Sequence, residues 1–186
     1  MVPKIHLICG PNGAGKSTHA RSILAANPKL EFLNADLVAA AIAGDDENAK
    51  LRKAGKFVLT RTDDLIAARE TFVIESTLSG RVLARQLREV KEAGYEISAT
   101  FIWIATAEMS LQRVRLRVSQ GGHDVPEDAV RRRHRPTIQN FLGLYFPLFS
   151  EWRLIDNTDG DQQEIAMGLQ ETSDVRQFQA LLKENR

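Results

Sequence analysis

The eight residues Gly10-Pro11-Asn12-Gly13-Ala14-Gly15-Lys16-Ser17 fit the pattern G-x-x-x-x-G-K-S/T at every fixed position. A stretch of this kind works only between a strand and a helix, and the flanks supply both. Ile5-His6-Leu7-Ile8-Cys9 is a short apolar run that predicts a buried strand, and Lys16 to Ala26 predicts a helix that stops before Asn27-Pro28. Glycines let successive backbone N–H groups turn inward as an anion nest, and the helix adds its free N–H groups and positive dipole end. Lys16 would then reach the outer phosphates, Ser17 would ligate Mg²⁺, and Gly10 through Thr18 would cradle the nucleotide. The pattern predicts a nucleoside triphosphate site with ATP and Mg²⁺ as its cofactors.

The rest of the chain supplies a sheet to carry such a loop. Strands are expected at Glu31–Asn34, Thr71–Glu75, Ile97–Ile104 and Trp152–Asp156. Helices are expected at 36 to 43, 46 to 69, Arg81 to Ala93 and Ala107 to Val118, and from Pro126 onward. Pro136 should kink or split that last helix, and the tail from about Asp161 reads as an amphipathic helix. Alternating strands and helices predict an α/β three-layer fold, a five-stranded parallel sheet with helices on both faces. At 186 residues this is one domain over 1 to 186, with an Arg-rich lid at about 118 to 136.

Charge is concentrated where the lid falls. The chain's net charge is only +1, yet residues 113 to 135 hold seven arginines against three acids. Helical spacing puts Arg113 and Arg117 on one face with Arg115 turned away. Arg131, Arg132 and Arg133 point in three directions, so at most two of them can serve one site. Arginines on a closing lid can neutralise a transferring phosphoryl group and exclude water. The sparse aromatics, 6% of residues, are not interleaved with these arginines, which counts against a nucleic-acid partner as the meaning of the run.

Two carboxylates stand where strands should end in the ligand crevice. Asp36, in Asn34-Ala35-Asp36, could accept a proton from an acceptor hydroxyl, and it is also a good helix N-cap; the two roles can coexist. Glu75 ends an almost wholly apolar strand and is followed by Ser76, Thr77, Ser79 and Arg81, a set able to hydrogen-bond a hydroxylated small molecule. The four histidines show no metal-ligand spacing. A lone cysteine and the absence of a signal segment or a long apolar span point to a cytoplasmic protein without a membrane partner.

Taken together, the loop at 10 to 18, the Asn34-Ala35-Asp36 step, Phe72-Val73-Ile74-Glu75-Ser76-Thr77-Leu78-Ser79-Gly80-Arg81, and Gly121-Gly122-His123-Asp124-Val125-Pro126 resemble the zeta-toxin-like P-loop kinases, in particular their short stand-alone bacterial members. The resemblance runs from about residue 3 to 158. It implies Mg-ATP-dependent phosphorylation of a hydroxyl on a nucleotide sugar such as UDP-N-acetylglucosamine, and an antitoxin protein as a possible partner. It implies that Asp36 is the base, that Glu75 and Thr77 bind the acceptor, and that Arg117 with Arg132 or Arg133 meets the γ-phosphate. Ser79 stands where the family carries a sugar-binding arginine, with Arg81 as the substitute. Three other readings accompany this one: a kinase for another small acceptor, an ATP-binding switch without productive transfer, and, on the arginine run alone, phosphorylation of nucleic-acid ends.

Overall fold

The computed structural model describes residues 2–44 and 46–169. Five strands run parallel: β1 Lys4–Cys9, β2 Glu31–Asn34, β3 Phe72–Ser76, β4 Glu96–Trp103 and β5 Glu151–Asp156. A sixth, β6 Gln163–Leu169, pairs antiparallel with β5, giving the order β2-β3-β1-β4-β5-β6. The sheet therefore has six strands where five were expected. Residues 163–169 of the expected tail helix are strand, and the rest of that tail lies outside the described residues.

Alternation along each strand divides the core between the two faces of the sheet. Ile5, Leu7 and Cys9, with Phe72, Ile74, Ile97, Ala99, Phe101 and Trp103, belong to one cluster. This cluster packs against α3 (Glu47–Ala67), α4 (Val82–Glu92) and the segment Phe141–Phe149. Ile8, Val73, Ile102 and Ile155 face the other way, onto Ala20, Ile23 and Leu24 of α1 (Lys16–Ala26). Each fully buried residue of this size contributes about 1.5–3 kcal/mol, so the two layers fix the strand ends that carry the chemistry. Register sets those ends level: Asn34 pairs with Glu75, Ile8 with Glu75, and Cys9 with Ser76.

Two further helices, α5 (Ala107–Ser119) and α6 (Glu127–Asn140), form a hairpin at the position expected for the lid. It has a small core of its own, Leu111, Val114, Val125, Ala129 and Val130. Pro136 lies inside α6, which nonetheless runs as one helix from Glu127 to Asn140. The missing donor falls opposite Arg132, on an exposed stretch where water can take the orphan carbonyl, while Thr137 Oγ1 donates to Arg133 O at 2.8 Å. A π-helical turn, Phe141–Tyr145, and a short 3₁₀ turn, Phe146–Leu148, follow. No helix among the described residues is long and apolar enough to cross a membrane.

Candidate active site

The phosphate loop connects β1 to α1, as the motif requires, and its last glycine is hemmed in by residues from beyond β5. Gly15 adopts φ 90°, and a β-carbon there would fall 2.7 Å from Asn157 Nδ2 and 2.8 Å from Gln162 Nε2. Only glycine fits that conformation and that gap. Asn157 Nδ2 donates to Ala14 O at 2.8 Å and Gln162 Nε2 to Gly15 O at 3.2 Å, so the loop between β5 and β6 braces the phosphate loop from outside. Lys16 is buried and its Nζ donates to Pro11 O at 2.8 Å. Burial pushes its ammonium pKa down, against the pull of the Glu75 and Asp36 carboxylates.

Both carboxylates sit beside this loop. Asn34 Oδ1 accepts from the N–H groups of Asp36 at 2.8 Å and Leu37 at 3.2 Å, which caps α2 (Ala35–Ala41). Asn34 does the capping, and the Asp36 side chain is left to line the crevice. Glu75 Oε2 accepts from Ser17 Oγ at 2.9 Å. Ser17, Glu75 and Asp36 are hard oxygen donors around one cavity, the set that suits Mg²⁺. No cluster of three or more His, Cys, Asp or Glu able to hold an ion occurs among the described residues, so a cation here would complete its shell with phosphate oxygens and water.

Three cavities adjoin along this line. One of about 410 Å³ is lined by the phosphate loop from Asn12 to Thr18 together with Arg21, Arg113, Leu116 and Arg117. A second, about 190 Å³, shares Lys16, Asp36 and Glu75 with the first and extends to Thr77, Ser79 and Arg133. A third, about 240 Å³, shares Thr77 and Ser79 with the second and is walled by Val58, Leu59, Ile74, Leu83 and Tyr145. The lysine and the two carboxylates thus stand at the junction between a phosphate cradle and a smaller space with hydroxyls at its rim and apolar side chains at its back. Another groove of about 410 Å³, lined by His6, His19, Ser98, Thr100 and Arg153, contains no residue of the phosphate loop.

The arginine run resolves into separate duties. Arg113 Nη2 donates to Thr158 O at 2.8 Å at the edge of the first cavity. Arg115 pairs with Glu127, and Arg131 with Glu108, two exposed ties between α5 and α6. Arg132 bonds the exposed Asp128 and lies outside the cavity linings, whereas Arg133 lines the second cavity. Arg117 is the most informative: its Nε and Nη2 are buried and have no partner. Gly122 packs on it so closely that a β-carbon would fall 2.5 Å from Arg117 Cγ. Arg81, the expected substitute for the family's sugar-binding arginine, is exposed at the N-cap of α4 and lines none of the three cavities. Of the two braces, Asn157 follows β5 at the crevice edge, where the sequence places a polar strand end, and Gln162 is the one that sequence reasoning missed. Asp159-Gly160 just before Gln162, a hairpin-turn signal after a strand, was the clue to that loop.

A phosphate loop between the first strand and helix of a mostly parallel sheet, with helices on both faces, defines a P-loop NTPase-type α/β protein. Residues 5–137 match the model of the AAA domain family (AAA_33), and the chain belongs to that family. A Haemophilus influenzae protein of uncharacterized function is 32% identical over 143 residues, covering 72% of this chain and 94% of its own. Among solved structures, a chain from the PezAT chromosomal toxin–antitoxin system of Streptococcus pneumoniae superposes with TM-score 0.68 at 18% identity, covering 99% of this chain and 83% of that one. The AvrRxo1-ORF1:ORF2 complex with ATP gives 0.66 at 17% identity, covering 100% and 64%. A gluconokinase from Sinorhizobium meliloti gives 0.52 at 19%, covering 98% and 93%. At these identities the structural matches speak to the fold.

Proposed function

We propose that this chain is a Mg-ATP-dependent kinase that transfers the terminal phosphoryl group of ATP to a hydroxyl of a small molecule. One observation carries the reading: Lys16, Asp36 and Glu75 are shared between the cavity at the phosphate loop and the cavity that reaches Thr77, Ser79 and Arg133. A donor on one side and a hydroxylated acceptor on the other would meet at a free carboxylate.

The phosphate-loop amides and Lys16 hold the triphosphate, and Ser17 with Glu75 would hold Mg²⁺. When bound, that ion neutralises charge on the β- and γ-phosphates. Asp36 orients the acceptor hydroxyl and takes its proton. As the acceptor oxygen bonds to the γ-phosphorus, the bond from that phosphorus to the β–γ bridging oxygen breaks, and ADP leaves with those electrons. Arg117, whose two buried nitrogens have no protein partner, and Arg133 neutralise the equatorial oxygens in flight. Thr77 faces the acceptor.

The leading acceptor is a nucleotide sugar such as UDP-N-acetylglucosamine, by the family resemblance. Arg81 and Arg132 stand outside this assignment because of where their side chains lie. An antitoxin-like partner is supported by the origin of two structural neighbours in two-component assemblies. The cytoplasm is the expected compartment, in keeping with the free, buried thiol of Cys9.

The test is mass spectrometry of a metabolite extract incubated with the protein, ATP and Mg²⁺, with Asp36→Asn in parallel. A compound that gains one phosphoryl group with the wild type and not with the variant supports the reading. Equal turnover by Asp36→Asn removes Asp36 as the base. ATP bound but nothing phosphorylated replaces the kinase with a nucleotide-dependent switch.

A further inference from the structure

The loop that follows β3 is shaped from outside the cavity it lines. Leu78 is buried and has a left-handed backbone, φ 55°, a conformation that a residue of its kind rarely keeps without support. The Leu78 N–H donates to Ser76 Oγ at 3.1 Å, Asn140 Nδ2 donates to Leu78 O at 2.8 Å, and the Tyr145 hydroxyl donates to Gly80 O at 3.0 Å. Between these anchors stand Thr77 and Ser79, whose hydroxyl oxygens are 3.0 Å apart and whose side chains line the inner two cavities.

Both outside donors come from one stretch, the last residue of α6 and the last residue of the π-helical turn. On a regular α-helix, residues five apart face roughly 140° apart. The wider i→i+5 turn brings Asn140 and Tyr145 round to the same loop, which gives this irregular turn a purpose. The Tyr145 ring also walls the apolar end of the cavity, and Arg133 lines the middle cavity from the same helix.

We propose that Asn140 and Tyr145 are positioning residues of the acceptor site: through the carbonyls of Leu78 and Gly80 they hold the Thr77 and Ser79 hydroxyls toward the acceptor and tie that loop to the helix that carries Arg133. The inference rests on the kinase reading for its catalytic consequence and on the structure alone for the shape of the loop, and its test has one arm for each.

In the full-length protein, Tyr145→Phe removes a single oxygen, and Asn140→Ala removes the other tie. Amide hydrogen exchange followed by mass spectrometry should show peptides covering residues 76–80 exchanging on the order of tenfold faster in each variant, with those of residues 10–17 unchanged. For the compound that the wild type phosphorylates in the metabolite extract, KM should rise about tenfold while the KM for ATP stays within about twofold. Exchange at 76–80 that matches the wild type in both variants overturns the proposal. So does an equal acceleration at 10–17, or a KM for ATP that rises with that for the acceptor. A wild type that phosphorylates nothing sinks the kinase reading, and the exchange arm then decides the positioning role by itself.

Discussion

Replacing Gly122 with alanine tests whether the Gly-Gly step exists to seat Arg117. The added β-carbon would lie 2.5 Å from Arg117 Cγ and 2.9 Å from Arg117 O. That carbonyl cannot retreat, because it already accepts from the N–H groups of Gln120 and Gly122 at 3.1 and 2.9 Å. The contact with Cγ is relieved only if the side chain gives and the guanidinium swings out of its buried seat, while the contact with the carbonyl remains as a cost in stability. Gly122 is not in the left-handed region, so the penalty is one of contact and not of backbone conformation. Gly121 is the matched control. Its φ is 80°, and nothing lies within 4 Å of the β-carbon it would gain. Gly121→Ala should therefore cost about 1 kcal/mol of stability and leave Arg117 in place. A donor aimed at charge that develops in the transition state is worth about 2.7–4 kcal/mol, so Gly122→Ala should lower kcat on the order of a hundredfold to a thousandfold. Transfer of labelled γ-phosphate in single turnovers, with calorimetry on each variant, separates the two effects. Gly121→Ala should lose a few degrees of Tm and keep kcat within about threefold. Adding Gly122→Ala to Arg117→Ala should lower kcat little further than Arg117→Ala alone, because both act on one side chain there. Wild-type turnover in Gly122→Ala, or in Arg117→Ala, refutes the reasoning.

On the proposed reading Lys16 holds phosphate only when charged, and burial lowers its pKa. ATP affinity should therefore fall as pH rises through a value below the ordinary lysine range, and Lys16→Met should bind weakly at every pH. Titration with a fluorescent ATP analogue from neutral pH upward checks this. Arg133→Ala should slow transfer about a hundredfold. Arg132→Ala, which loses only an exposed pair with Asp128, should stay within about twofold in the same assay. Asn157→Ala leaves Ala14 O without its side-chain donor and should cost about 1–2 kcal/mol. In thermal melts that loss should appear with a smaller shift on adding ATP, because the phosphate loop has lost a brace.

What was legible in the sequence follows from how local each signal is. The phosphate loop, the five parallel strands and the shared face of Arg113 and Arg117 depend on spacing within one element, and each stands where spacing put it. Asp36 carried two readings because a carboxylate after a strand both caps and catalyses. Its neighbour Asn34 takes the cap, a choice made by side-chain geometry two residues away. β6 was hidden because Gln163, Glu164, Ala166 and Met167 favour helix intrinsically, while pairing with β5 decides the outcome. Pro136 reads as a break on local rules, yet packing of Val130, His134 and Thr137 on the same helix keeps α6 in one piece. The choice between Arg132 and Arg133 could not be made from spacing, since both lie on a turn whose orientation is set by how α6 packs on α5. Leu78 gave no signal, since beyond the local Ser76 hydroxyl its left-handed backbone is held by Asn140, 62 residues away.

The hydrogen bonds at the phosphate loop divide its groups into those already partnered and those still waiting. Lys16 rests on Pro11 O and Ser17 on Glu75, so a ligand arriving at either exchanges an existing bond and gains the difference. Arg117 differs, because two of its nitrogens are shut away from water with nothing to bond. An anion there would remove a standing desolvation penalty. Binding free energy would thus be gained unevenly, with exchange at the loop and net gain at the lid-side arginine. A nucleotide too short to reach Arg117 would keep the loop's backbone N–H groups but forgo that gain, so the protein would favour the longer phosphate chain without any group devoted to measuring it.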